Sequence, residues 1–153
     1  MSKQFLPMTL QSIGTVRSNF RKPTAERLEL KKIVAEIVID PQLTEALKGL
    51  EEFSHIIVIY WLHRAVYDKT SLKTYPMGNT APGLKGLFAV RTPKRPNAIG
   101  KTTVRLLEIH GNILKVQGLD AIDGSPVLDI KPYVPGYDSA ADATVPDWVN
   151  LDE

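Results

Sequence analysis

The sequence predicts a mainly β fold, a single-sheet β-barrel of about six or seven strands with one or two short helices. Three observations lead there. Short runs rich in Val, Ile and aromatic residues recur along the 153 residues. The later runs are separated by tight turn pairs with no helix between them, so alternating βαβ units are missing. Only one segment carries both a helix start and a helix stop. Closing such a sheet into a barrel removes its exposed edges, which favours a barrel over a sandwich.

The elements follow in order. Thr9 to Ser18 ("TLQSIGTVRS") reads as a first, irregular strand, and Asn19 to Arg27 as a polar, basic loop around Pro23. Lys31 to Asp40 ("KKIVAEIVID") is β-branched and reads as a second strand. A helix is expected next: Asp40 can cap it, Pro41 suits its first position and Gly49 can stop it. Leu43, Ala46, Leu47 and Leu50 give its apolar stripe. Ser54 to His63 ("SHIIVIYWLH") is a buried strand, and Val66 to Pro82 has no stable period and reads as a long loop. Gly86 to Thr92 ("GLFAVRT") reads as a further strand. Thr102 to His110 and Asn112 to Leu119 flank a hairpin turn at His110-Gly111-Asn112. Asp123-Gly124 marks a second turn, and Pro126 to Val134 a last strand. The expected organisation is a barrel domain over residues 1–138 and an acidic C-terminal tail over 139–153.

Composition narrows the chemistry. Hydrophobic content of 43% and charged content of 24% are ordinary for a globular protein. No secretory signal stands in "MSKQFLPMTL", and no apolar run approaches a membrane span of about 20 residues, so a cytoplasmic protein without membrane contact is expected. The absence of cysteine excludes disulfides, thiolate zinc sites and cysteine nucleophiles. No metal site is expected. His55 and His63 lie eight residues apart on one strand, which is roughly 26 Å at about 3.3 Å per residue. Nucleotide-binding glycine motifs and a G-x-S-x-G elbow are missing.

Charge is uneven although the net value is only +2. No acid occurs between Asp68 and Glu108, a window holding Lys73, Lys85, Arg91, Lys94, Arg95, Lys101 and Arg105. From Asp120 onward eight acids face Lys131 alone. If the basic window shares a face it attracts anions such as RNA phosphates or a carboxylate; the alternative is a solvated surface.

The loop from Arg91 to Lys101 is the most informative stretch. Pro93 and Pro96 stiffen it, Arg91 and Arg95 can grip a carboxylate or phosphate, and Asn97 can both donate and accept. Gly100 is expected to let a ligand approach the backbone. Asp120 and Asp123 flank Ala121-Ile122, either shaping a turn or offering two carboxylates to a sugar or cation.

"GLFAVRTPKRPNAIG" resembles the "FATRSPxRPNPIG" signature of the TrmO family. "GLDAIDGSPVLDIKPYVPGYD" resembles that family's "LDxxDGTPVLDIKPYxPxxD", and "GLEEFSHIIVIYWLH" its "GLEGFSHIWLIFxFH" strand. "IGTVRSNF" is similar to its opening strand. The resemblance implies a dimeric, S-adenosylmethionine-dependent β-barrel methyltransferase acting on N6 of threonylcarbamoyl-adenosine in tRNA. It implies cofactor contacts at His63, Arg64, Arg91, Lys101, Asp120, Ala121, Ile122 and Asp123. Arg27 is carried over too, although the family's Pro-Arg-Gln stands here as Ala25-Glu26-Arg27-Leu28. Lys94, Arg95 and Asn97 are the expected substrate contacts, and Asp129 and Tyr133 the expected catalytic pair. Two alternatives stay open: a different RNA or small-molecule substrate, and a barrel that binds cofactor or RNA without turnover.

Overall fold

The computed structural model describes residues 4–21 and 27–149, with the backbone alone for 27 and 28. Its strands are β1 (Gly14–Arg17), β2 (Val34–Ile39), β3 (His55–Trp61), β4 (Lys73–Thr74), β5 (Lys85–Gly86), β6 (Ile99–His110), β7 (Ile113–Gln117) and β8 (Pro126–Pro132). Six of them close into an antiparallel barrel in the order β1-β2-β7-β6-β3-β8, and β4 and β5 form a separate two-stranded ribbon. Two four-residue helices, α1 (Arg27–Leu30) and α2 (Pro135–Asp138), stand outside the sheet.

Alternation decides which side chains fill the barrel. On β3, Ile56, Val58 and Tyr60 point in, opposite Val104, Thr102 and Gly100 of β6. Val16, Ile37 and Leu114 meet them from β1, β2 and β7. Each fully buried aliphatic side chain contributes about 1.5–3 kcal/mol of transfer free energy. Leu119 and Ala121 extend this core into one mouth of the barrel, while Leu47 and Leu50 pack at the other.

Three expectations need correction. The expected helix after Asp40 is a 3-10 segment, Pro41–Leu47. Asp40 does cap it, but by accepting from the Gln42 N–H, and Thr44 bonds back to the Pro41 carbonyl, so short local bonds replace an α-helical ladder. The first strand begins only at Gly14, because neither its ladder with β2 nor its ladder with β8 extends before that residue. Lastly, "GLFAVRT" is no barrel strand: Lys85 and Gly86 pair with β4, and Leu87–Ala89 forms a 3-10 turn anchored by buried Leu87. Barrel closure through the β3–β6 ladder leaves no place for a strand between them.

Strand direction sorts the connections. Residues 18–33, 62–98 and 118–125 all join strands at one end, called here the loop end. The β2–β3 connection and the β6–β7 hairpin, where Gly111 has φ 58°, lie at the other end. The tail returns towards the ribbon, with the Lys85 ammonium 5.8 Å from the Trp148 ring. Among the described residues no helix is long and apolar enough to cross a membrane.

Gly14 marks where closure is tightest. A Cβ there would sit 2.5 Å from the Val38 carbonyl oxygen of the paired strand, a backbone atom that cannot step aside. Gly14→Ala is expected to lower stability by about 1–3 kcal/mol, as overpacking does. Gly136→Ala, whose Cβ would meet nothing within 4 Å, serves as the neutral control in urea unfolding.

Candidate functional site

At the loop end the 118–125 connection is knitted to β1. Asp123 accepts the Ser18 N–H at 2.9 Å through Oδ1, and its own N–H donates to the Phe20 carbonyl at 2.8 Å. Arg21 approaches Asp123 Oδ2 at 3.7 Å. Gly124 adopts φ 82°, a left-handed turn that a side chain would strain, and its N–H donates to the Val16 carbonyl. Ser125, buried, closes the turn by donating its hydroxyl to the Ile122 carbonyl at 2.6 Å. Asp123 is therefore occupied in shaping this corner.

The end of β3 arrives beside it. The His63 Nε2 lies 4.0 Å from where a Cβ on Gly124 would stand. Arg64 donates from Nη1 to the Arg21 carbonyl at 3.3 Å, so His63, Arg64, Arg21 and Asp123 share one corner. The Leu62 N–H bonds to the Ala98 carbonyl at 2.7 Å, which brings in the end of the basic loop.

Asp120 sits along β6. Its Oδ1 accepts from the Tyr60 hydroxyl at 2.8 Å and also from the Thr102 hydroxyl. Burial first, then the charge of Asp120, pushes the Tyr60 phenol well above the ordinary tyrosine range, so it stays protonated and donates. Asp120 itself is exposed between buried Leu119 and buried Ala121.

The structure treats the expected residues unequally. His63, Arg64 and Asp123 share one corner at the loop end, and Asp120 stands on the same 118–125 connection, held by Tyr60 and Thr102. Ile122 contributes its carbonyl to the turn, whereas Ala121 is a core residue, 1% exposed, and offers a ligand almost no surface. Arg91, Lys94 and Asn97 are exposed on the connection that leaves and returns at this end. Arg95 is half-buried and donates from Nη1 to the Val90 carbonyl at 3.1 Å, so it braces its own loop. The side chain of Arg27 lies outside the described residues.

Others are placed elsewhere. Ile99, Gly100 and Lys101 belong to β6 rather than the loop, and Lys101 pairs with Ile59 on the outer face. Asp129 shares that outer face on β8, with Oδ1 on the Ile130 N–H and Oδ2 2.9 Å from Lys131. Tyr133 lies beyond β8 at the opposite end, its ring edge-on to His55 at 6.4 Å. The expected catalytic pair is thus absent from the loop end of its own chain. Gly100 is also reassigned: the Tyr60 ring fills the space over it, 2.6 Å from where a Cβ would be. Among the described residues no three His, Asp or Glu side chains gather as a metal site would need.

Residues 15–139 match the model of the tRNA-methyltransferase O N-terminal domain. The chain belongs to the TrmO family. A probable S-adenosyl-L-methionine-binding protein of Methanothermobacter thermautotrophicus is 44% identical over 138 residues, covering 88% of this chain and 96% of that one. The mouse tRNA (adenine(37)-N6)-methyltransferase is 41% identical over 115 residues, 74% of this chain but 26% of its own length. Among solved structures, TrmO from Pseudomonas aeruginosa superposes with a TM-score of 0.74 at 33% identity, covering 91% of this chain. The chain spans 61% of that TrmO structure's length.

Tyr60, Thr102, Ser18 and Arg21 escape the sequence reading. Inward alternation makes Tyr60 and Thr102 look like core, and the TrmO strand signature has Phe where Tyr60 stands. Gly100→Ala is expected to destabilise by about 1–3 kcal/mol. Combining it with Tyr60→Leu, which removes the ring, should cost less than the sum of the two single changes, measured by chemical unfolding.

Proposed function

We propose that the loop end binds S-adenosylmethionine and that the protein methylates N6 of threonylcarbamoyl-adenosine in tRNA. The observation that carries this is the convergence, in a TrmO-family chain, of Asp120, His63 and Arg64 from separate segments onto one mouth of the barrel. The names of the relatives as S-adenosyl-L-methionine-binding proteins and as a tRNA methyltransferase support it. Residues 1–138 serve as the cofactor-binding barrel on this reading, with 139–153 as an acidic tail.

The residues suit the ligand. S-Adenosylmethionine carries a carboxylate, an ammonium, a sulfonium and two ribose hydroxyls. Asp120 has an exposed carboxylate with one oxygen engaged, fit for a hydroxyl or ammonium. Arg64, Arg91 and His63 suit the carboxylate end. Asp123 and Ile122 hold the corner in shape beneath them. Arg27 joins this set on the resemblance alone.

When bound, S-adenosylmethionine supplies an electrophilic methyl group on sulfur, which asks for alignment more than activation. The chain's own task is binding and orientation. Exposed Lys94 and Asn97 stand free to meet RNA, while Arg95 stiffens the loop that presents them. Asp129 lies on the outer face with both oxygens engaged and Tyr133 at the far end, so on this reading neither is assigned as the acceptor of the nitrogen's proton within the same chain.

Two copies are proposed to pair through the outer face of β3 and β6. Trp61 and Ile99 are exposed there, 37% and 39%, beside Lys101. Light scattering coupled to size exclusion distinguishes dimer from monomer.

The deciding assay is labelled methyl transfer to tRNA followed by mass analysis of nucleosides. A methyl added to threonylcarbamoyl-adenosine is expected; binding of the cofactor with no transfer to any RNA refutes the tRNA-methyltransferase reading. Arg91→Ala is expected to weaken cofactor binding about tenfold or more, as loss of a charge-assisted bond does. Lys94→Ala should spare cofactor affinity and lower the salt slope of tRNA binding by about 0.7–0.9.

A further inference from the structure

We propose that Tyr60, backed by Thr102, is a positioning residue: it fixes Oδ1 of Asp120 so that Oδ2 meets a hydroxyl or ammonium donor of the cofactor. The inference rests on the reading of the loop end as the cofactor site. Nothing in core packing requires a phenol on β3. Tyr60 is 3% exposed, its strand neighbours inside the barrel are Ile56 and Val58, and a buried hydroxyl is costly unless bonded. Here it is bonded to an acid that lies outside the core. The Tyr60 hydroxyl reaches Oδ1 of Asp120 at 2.8 Å, and the Thr102 hydroxyl converges on the same atom. Among the described residues no donor meets Oδ2.

The backbone supports this arrangement from both sides. Leu119 and Ala121 are anchored in the core, so the main chain on either side of Asp120 is fixed while its carboxylate remains at the surface. Only the side-chain torsions are left to settle, and two hydroxyls from two strands settle them. The donor is itself immobile, since the Tyr60 ring is seated on Gly100, where a Cβ would come within 2.6 Å. A carboxylate fixed before the ligand arrives loses less side-chain entropy on binding, so the gain appears as affinity.

Tyr60→Phe removes the hydroxyl and keeps the ring. Affinity for S-adenosylhomocysteine, the unreactive product, is measured by calorimetry on the full chain for wild type, Tyr60→Phe, Asp120→Ala and the double variant, with thermal unfolding recorded in parallel. Tyr60→Phe is expected to weaken binding about fivefold to thirtyfold, and the double variant to bind no worse than Asp120→Ala. If the phenol only tethers the connection, the loss from Tyr60→Phe persists in the Asp120→Ala background or only the unfolding temperature falls; either result overturns the proposal. Thr102→Val should show the same dependence on Asp120 with a smaller loss. Methylthioadenosine, which keeps the ribose but lacks the amino acid, locates the donor: a Tyr60 effect retained with it assigns the ribose hydroxyls, and one lost with it assigns the ammonium. Wild type that binds neither ligand refutes the cofactor reading itself, and the positioning role with it.

Discussion

The loop end depends on how tightly six strands close. A small barrel has little interior, and its strands must cross at steep tilt to fill it. β6 shows the consequence. Its first half pairs with β3 and its second half with β7, so the strand sweeps across the barrel rather than running alongside one neighbour. The connection after β7 then runs along the edge of β6's first half that β7 leaves unpaired, where Asp120 meets Thr102 and, from β3, Tyr60. Were the strands less staggered, the same acid would project into solvent with nothing to hold it.

Closure also assigns the glycines. Gly14 and Gly100 look alike in sequence, each beside an apolar run, yet both are dictated by packing rather than by turns. One yields to a paired strand's carbonyl oxygen and the other to an aromatic ring. Gly124 has the opposite character: little crowds it, and its left-handed backbone is what the turn needs. A glycine set aside for a ligand and one set aside for a tyrosine carry the same letter. Only the partner distinguishes them, and here the partner is forty residues away in sequence.

Legibility of the sequence divides along this line. The short β-branched and aromatic run "HIIVIYW" made β3 visible, and turn pairs at Gly111 and Gly124 placed the hairpin and the corner that precedes β8. What depended on stagger was hidden. Lys101 and Asp129 lie near the informative motifs in sequence, but alternation sends both to the outer face, on either side of Ile59. Tyr133 follows a motif-rich strand, yet the strand runs away from the loop end and carries it to the far side. Proximity in sequence to a signature is a poor guide once a strand intervenes, since seven residues of strand span most of the barrel's height. The basic loop is a milder case: Arg95 looked free for a ligand, and the fold uses it to brace the backbone.

The two acids of the Asp120-Ala121-Ile122-Asp123 turn show how one short motif divides its work. Asp123 faces a backbone N–H and a guanidinium, and those partners consume it in joining the β1 exit to the turn. Asp120 faces two hydroxyls, and both choose the same oxygen. Buried Ala121 lies between them as a hinge pin, small enough to enter the core and so to fix the direction of each acid. A larger residue at that position would lift the whole turn off the barrel, loosening the corner and the carboxylate together. The turn is thus structural at one end and open to a ligand at the other, and the barrel's interior is what keeps the two ends in register.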